Sequence, residues 1–137
     1  MADTAQNLRA FLIANAGVSA IVGSNACQGS VPQADIVETP YVWLGRSQRR
    51  LDRTLDSPVG AASDEEWFDV EGISDDLDES QRLGEAIRSA LEYYRGTMGT
   101  QAVKGVFVDD QDDQYIPRGT LGETSLHTAA LSVQIFT

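Results

Sequence analysis

The chain of 137 residues has one cysteine, Cys27, one histidine, His127, and one lysine, Lys104. A single thiol forms no disulfide within the chain, and one thiol with one imidazole is too few for a zinc site built from Cys and His. This usage fits a reducing cytoplasm. We expect Cys27 to be a small buried residue at the start of a strand.

Long apolar runs are also missing. No run approaches the ~20 apolar residues that a membrane-spanning helix needs. The first residues show no basic segment followed by an apolar core, so we expect no signal peptide. With 42% hydrophobic residues the chain has enough apolar side chains for a core. Its length suits one domain, which we assign to residues 1–137.

Basic residues are few, because ten Lys and Arg stand against 21 Asp and Glu, for a net charge of −11. DNA binding by counterion release needs clustered Lys and Arg. A chain this acidic repels a phosphate backbone over most of its surface, although it can surround DNA without gripping it.

Two helices are predicted from apolar side chains at helical spacing. The first is expected to begin at Thr4 as N-cap and to end at Gly17, followed by a short turn that Gly23 closes. The second is expected to begin at Ser74 as N-cap and to end at Gly96, with acidic residues in its first turns, where the helix dipole favours them.

Strands are predicted where apolar and polar residues alternate. They cover residues 26–30, 41–50, 66–73, 103–109 and 124–136. A long connection over residues 51–64 is predicted to join the second strand to the third, and residues 110–119 are predicted to form a turn or loop. The fold class is α+β: an antiparallel sheet of about four strands, with two helices packed on one face and a long hairpin loop.

The two tryptophans alternate with apolar residues. If Val42, Leu44, Phe68 and Val70 face the helices, Trp43 and Trp67 lie on the other face, beside Tyr41, Asp69 and Glu71. An exposed aromatic patch of this kind marks a contact surface. The reverse assignment, with tryptophans in the core, stays open at this point.

Groups for catalysis or metal binding are weakly represented. The acidic run at 109–113 does not fit a helix–loop–helix calcium loop, because the positions for Gly and Glu hold Tyr115 and Leu121. The nine acidic residues of 64–79 suit helix capping and solubility better than a two-metal nuclease. His127 lies on a core-facing alternation, and the chain has no G-x-S-x-G elbow. We therefore expect no catalytic residue, metal or cofactor.

The main basic cluster comprises Arg46, Arg49, Arg50 and Arg53. It either protects an edge strand by charge or contacts an acidic surface, such as residues 64–66 or 75–79 of a neighbouring subunit, or DNA. The candidate subunit or partner interface therefore consists of Arg46, Arg49, Arg50, Arg53, Asp64, Glu65, Glu66, Trp43 and Trp67.

Five stretches together resemble one protein family. They are LRAFLIANAGVSAIVG at 8–23, PYVWLGR at 40–46, TLDSPVG at 54–60, EWFDVEGISDDLDESQRLGEAIRSAL at 66–91, and FVDDQDDQYIP at 107–117 with the last strand. In order and spacing they resemble the bacteriophage tail-completion and tail-terminator (head–tail joining) proteins.

This resemblance implies a structural virion protein of the tail or neck, assembled in the host cytoplasm. It implies a homo-oligomeric ring, generally of six copies, at the head-proximal end of the tail. Such a ring terminates the tail tube, joins it to the head connector, or both, while DNA passes through without sequence-specific binding. The implied partners are the tail tube protein and a connector or stopper protein, with no membrane. The alternatives are another connector component, such as a stopper or adaptor, and a carboxylate- or metal-dependent enzyme.

Overall fold

The computed structural model describes residues 4–28, 40–52, 63–116 and 126–137. Its elements, in chain order, are α1 Thr4–Ala14, α2 Ala16–Val22, β1 Ala26–Gln28, β2 Tyr41–Asp52, β3 Ser63–Ser74, α3 Leu77–Leu91, β4 Gly96–Met98, β5 Gln101–Val103, β6 Gly105–Ile116 and β7 Leu126–Phe136. The larger sheet has five strands in the order β1-β2-β3-β7-β6, and β4 pairs with β5 in a separate two-stranded sheet.

The α+β class is confirmed, but the prediction of a purely antiparallel sheet of four strands is wrong. β1 runs parallel to β2, while the pairs β2–β3, β3–β7 and β6–β7 are antiparallel. Alternation of side chains shows which residues share a face, but it carries no information about the direction of the partner strand. A strand of three residues such as β1 therefore leaves its orientation open.

The N-terminal segment forms two helices, and its predicted boundaries are wrong. Asn15 ends the first helix and caps the second, since its side-chain oxygen accepts hydrogen bonds from the N–H of Gly17 at 3.0 Å and of Val18 at 3.1 Å. Gly17 therefore lies in the first turn of α2, and Thr4 is helical. Gly23 closes α2 as predicted, with a φ of 64° and an N–H bonded to the carbonyl of Ser19.

The second predicted helix, α3, also has different ends. Its N-cap is Asp76, whose side chain accepts from the N–H of Asp78. Ser74 lies two residues before this N-cap. Its hydroxyl accepts a hydrogen bond from the N–H of Asp76 at 3.1 Å and donates one to the Glu79 carboxylate at 2.7 Å. The helix ends at Leu91, before Gly96, because the N–H of Tyr93 bonds across to the carbonyl of Val106.

The strands predicted at 41–50 and 66–73 are confirmed, and each extends further toward the connection between them. The prediction of a turn or loop beginning at residue 110 is wrong. β6 continues to Ile116 and pairs with β7, with Asp112 opposite Ala130 and Asp113 opposite Ala129. Ladder pairing with β7 overrides the low strand propensity of aspartate. The β4–β5 hairpin was not predicted.

One face of the larger sheet, here called the inner face, packs against the helices. Its core side chains in the strands are fully or almost fully buried: Val42, Leu44, Phe68, Val70, Val106, Leu131, Val133 and Ile135. The helices contribute Leu8, Leu12, Leu83, Ile87 and Leu91 to the same cluster. Burial of each such side chain stabilises the fold by roughly 1.5–3 kcal/mol. The predicted core alternation in β2 and β3 is confirmed, and the opposite side is called the outer face.

Helix α3 approaches the sheet closely at Gly84. A Cβ added there would lie 2.6 Å from the Cβ of Ala129 in β7, which is closer than real side chains allow. The absence of a side chain at residue 84 therefore sets the distance between helix and sheet.

We predict that Gly84→Val lowers the free energy of unfolding by about 1–3 kcal/mol, because the added atoms push α3 away from β7. Urea unfolding followed by circular dichroism measures the change. Ser89→Val, on the exposed side of the same helix, is the matched control and should change stability by less than about 1 kcal/mol. Equal effects of the two substitutions would contradict the close approach.

Candidate interaction surfaces

The predicted basic cluster lies largely on β2, next to the acidic residues expected to come from another subunit. Arg49 pairs in register with Glu66, and Arg50 with Glu65. Arg53 lies outside the described residues. These arginine and glutamate positions of the candidate interface are therefore cross-strand neighbours in the backbone ladder of one chain.

Glu66 is the most deeply buried member of the candidate interface, with 1% of its surface exposed. Its carboxylate lies 3.2 Å from a guanidinium nitrogen of Arg46, and the Thr4 hydroxyl donates to it at 2.9 Å. The Thr4 oxygen also lies 3.0 Å from the side-chain oxygen of Gln101, to which the Asn7 amide donates at 3.4 Å. This polar network, comprising Glu66, Arg46, Thr4, Gln101 and Asn7, joins α1, β2, β3 and β5.

The burial of Glu66 could have been predicted from its position in the strand. It stands two residues before Phe68, so it shares the inner face with the core. A buried carboxylate needs a paired cation and hydrogen-bond donors, and the network supplies both. Glu66 acts inside the subunit, whereas Glu65, on the outer face, remains partly exposed.

Both tryptophans lie half-buried on the outer face, so the assignment with apolar residues facing the helices is confirmed. Trp43 pairs with Glu71, and Trp67 with Gln134. The Trp43 ring covers Gly45, where an added Cβ would lie 2.9 Å from two ring carbons. Exposed Asp69 lies on the same face and strand as Trp67, so this part of the sheet combines aromatic and acidic side chains.

Three groups near Trp43 have raised pKa values. Burial, and then the charge of Asp69, raises the pKa of Glu71. Burial, with smaller contributions from Cys27 and Glu71, raises the pKa of Tyr41. Burial also raises the pKa of the Cys27 thiol, and Arg9 offsets part of that rise. The thiol is half-buried in β1 and its environment disfavours the thiolate, which is the reactive form.

The acidic run at 109–113 lies along β6. Because successive side chains of a strand point to opposite faces, the run divides: Asp110 and Asp112 share the outer face, and Asp113 lies on the inner face. His127 pairs with Ser74 and Tyr115, and its ring centroid lies 5.0 Å from that of Tyr115. Within residues 4–28, 40–52, 63–116 and 126–137, no three His, Cys, Asp or Glu residues are grouped to hold a metal ion.

A groove that the sequence analysis did not identify lies at the edge of the sheet, beyond the C-terminal end of α3. It has a volume of about 380 Å³ and is lined by Tyr93, Arg95, Lys104, Gly105, Val106, Phe107 and Phe136. Phe107 makes edge-to-face contacts with Tyr93, at a centroid distance of 6.0 Å, and with Phe136, at 5.6 Å. The sequence signal for this groove was Phe107, an aromatic residue that alternates with the buried Val106 and therefore faces away from the core.

These observations define a small α+β protein whose helices cover one sheet face, with aromatic and charged side chains exposed elsewhere. The family model for tail completion protein gp17 matches residues 6–136, and the chain therefore belongs to this family. It is a structural bacteriophage protein of the virion tail or neck, as the sequence resemblance implied.

A similar fold occurs in a chain from a solved structure titled "Virion of native gene transfer agent (GTA) particle". The TM-score is 0.60 at 13% sequence identity, over 95% of this chain and 92% of that chain. No curated protein matches the chain. Among the described residues, no helix is long and apolar enough to span a membrane.

We predict that Glu66→Ala destabilises the fold by about 1–3 kcal/mol, because Arg46 and Thr4 each lose a buried partner. Thermal and urea unfolding measure the loss. The control is Glu65→Ala on the adjacent outer-face position, which should cost less than half as much. Equal losses would show that the buried network does not stabilise the subunit.

We predict that Glu71→Gln stabilises the protein at neutral pH. The pKa of Glu71 is raised above its ordinary value of 4.5, so the folded chain holds this proton more tightly than the unfolded chain. The stability that Glu71 contributes is therefore present below pH 4.5 and is lost as the pH rises through the raised value.

Unfolding measured from pH 4 to pH 8 tests this prediction. The stability difference between Glu71→Gln and the wild type should grow with pH. A constant difference, or one that shrinks as the pH rises, would contradict the raised pKa.

Proposed function

We propose that this chain forms a ring, the six-copy ring implied by the resemblance, at the head-proximal end of the tail tube. The ring terminates the tube, joins it to the head connector, or both. The observation that carries this proposal is the match of the tail completion family model to residues 6–136. A match of that extent covers all strands of the sheet, α2, α3 and all but the first two residues of α1.

The charge of the chain supports DNA passage through such a ring. The net charge is −11, and Asp69, Asp110 and Asp112 are exposed on the outer face of the sheet. A negatively charged lumen repels phosphate and lets DNA slide, whereas a basic lumen holds it by counterion release. On this proposal the role is structural and involves no catalysis.

The proposed partners are other copies of the chain, the tail tube protein and the connector or stopper protein. A ring uses a heterologous contact, in which two different patches of each subunit meet. Its two rims are then free to contact the tube on one side and the connector on the other. A stopper or adaptor role would leave the tail tube without contact to this chain.

Electron microscopy of particles made without this chain tests the proposal. Overlong tails, or tails of scattered length, would identify a terminator. Full heads beside separate tails of normal length would identify a joining protein. Restoration by the wild-type gene in trans is the control, and intact infectious particles without the chain would contradict both roles.

A further inference from the structure

Leu77, the first residue of α3, presents an apolar side chain in an acidic setting. It is 46% exposed, although it is a large aliphatic residue. Exposed Asp75, Asp76 and Asp78 adjoin it in the chain. Glu79 and Arg82 follow in the next turn, so the local charge remains negative. We call Leu77 with Asp75, Asp76 and Asp78 the acidic knob.

The groove at the other end of α3 has the opposite character. Its walls are the rings of Tyr93, Phe107 and Phe136, and its lining includes two basic residues, Arg95 and Lys104. The chain has ten basic residues against 21 acidic ones, so two basic residues in the described lining of one groove favour an acidic partner. An apolar side chain surrounded by acidic residues matches this groove in both polarity and charge.

Tyr93, one of the groove residues, has an unusual backbone conformation. Tyr93 has a φ of 61°, and a bulky residue rarely adopts this left-handed conformation. Its N–H bonds to the carbonyl of Val106 at 2.9 Å, while its side chain stays 71% exposed. Strained residues of this kind concentrate where a protein contacts a ligand or partner.

The knob and the groove of one chain cannot meet. They lie at the two ends of α3, whose 15 residues separate them by roughly 22 Å at about 1.5 Å per residue. Two different complementary patches on one subunit produce a head-to-tail contact, which closes into a ring when the rotation per subunit allows it.

We infer that the acidic knob of one copy docks in the aromatic groove of the next copy. Leu77 contacts the rings of Tyr93 and Phe107, and Asp75 and Asp78 face Arg95 and Lys104. This inference rests on the ring proposed above and identifies the surfaces that build it.

Disulfide trapping in purified particles tests the contact directly. Leu77→Cys and Phe107→Cys are introduced together in a Cys27→Ser background, and the particles are oxidised and run on a non-reducing gel. The expected result is a ladder of covalent oligomers. The control pair is Tyr115→Cys with Phe107→Cys, since Tyr115 is also an exposed aromatic residue of β6, 57% exposed, but lies outside the contact.

A charge exchange tests the same contact without cysteines. Arg95→Glu should lower the yield of complete particles by about tenfold, because a carboxylate then faces the acidic knob. Adding Asp75→Arg to the same chain should restore most of that yield. Both side chains are exposed, and an unchanged melting temperature shows that folding is unaffected.

The outcomes separate the two proposals. Absence of the wild-type chain from purified particles would overturn the proposed function. If the chain is present, but the test pair gives no ladder or no more than the control pair, the knob-and-groove contact is wrong and the virion role stands. Failure of Asp75→Arg to rescue Arg95→Glu would likewise overturn the contact.

Discussion

The structure depends on the packing of helices against a single face of the sheet. Phe68 and Val70 in β3 and Leu131 and Val133 in β7 form the centre of that face, and none is more than 1% exposed. Gly84 allows α3 to come close to β7. Because the helices cover the inner face, contacts with other molecules are left to the outer face, the sheet edges and the exposed sides and ends of the helices.

The buried Glu66 network follows from the same packing. The carboxylate lies at the margin of the inner face, where α1 and the β4–β5 hairpin meet the sheet, and it links both of them to β2. Such a network costs desolvation free energy and gains stability only when every member is satisfied. It therefore fixes the position of α1 relative to the sheet, and it removes Glu66 from the surface available to a neighbouring subunit.

Strong alternation made part of the fold predictable from the sequence. Val42, Leu44, Phe68 and Val70 identified the inner face, and the spacing from Leu83 to Leu91 identified α3. Other features depended on tertiary contacts: the parallel β1, the extension of β6 through the acidic run, and the left-handed Tyr93 all follow from pairing with distant residues. In the candidate interface, the outer-face position of Trp43 and Trp67 was predictable as one of two alternatives. The groove formed by Tyr93, Phe107 and Phe136 was not predictable, because it joins three separate segments of the chain.

Membership of the tail completion family makes this chain a structural protein of the virion tail or neck. The account proposed above adds that it assembles with copies of itself at the head-proximal end of the tail. A cryo-electron microscopy reconstruction of the neck of purified particles tests this most directly. The account predicts a ring of density at the head-proximal end of the tail tube, each subunit of which fits the sheet with its helices on one face. A neck reconstruction in which this fold is absent, or in which the chain lies elsewhere in the particle, would contradict it.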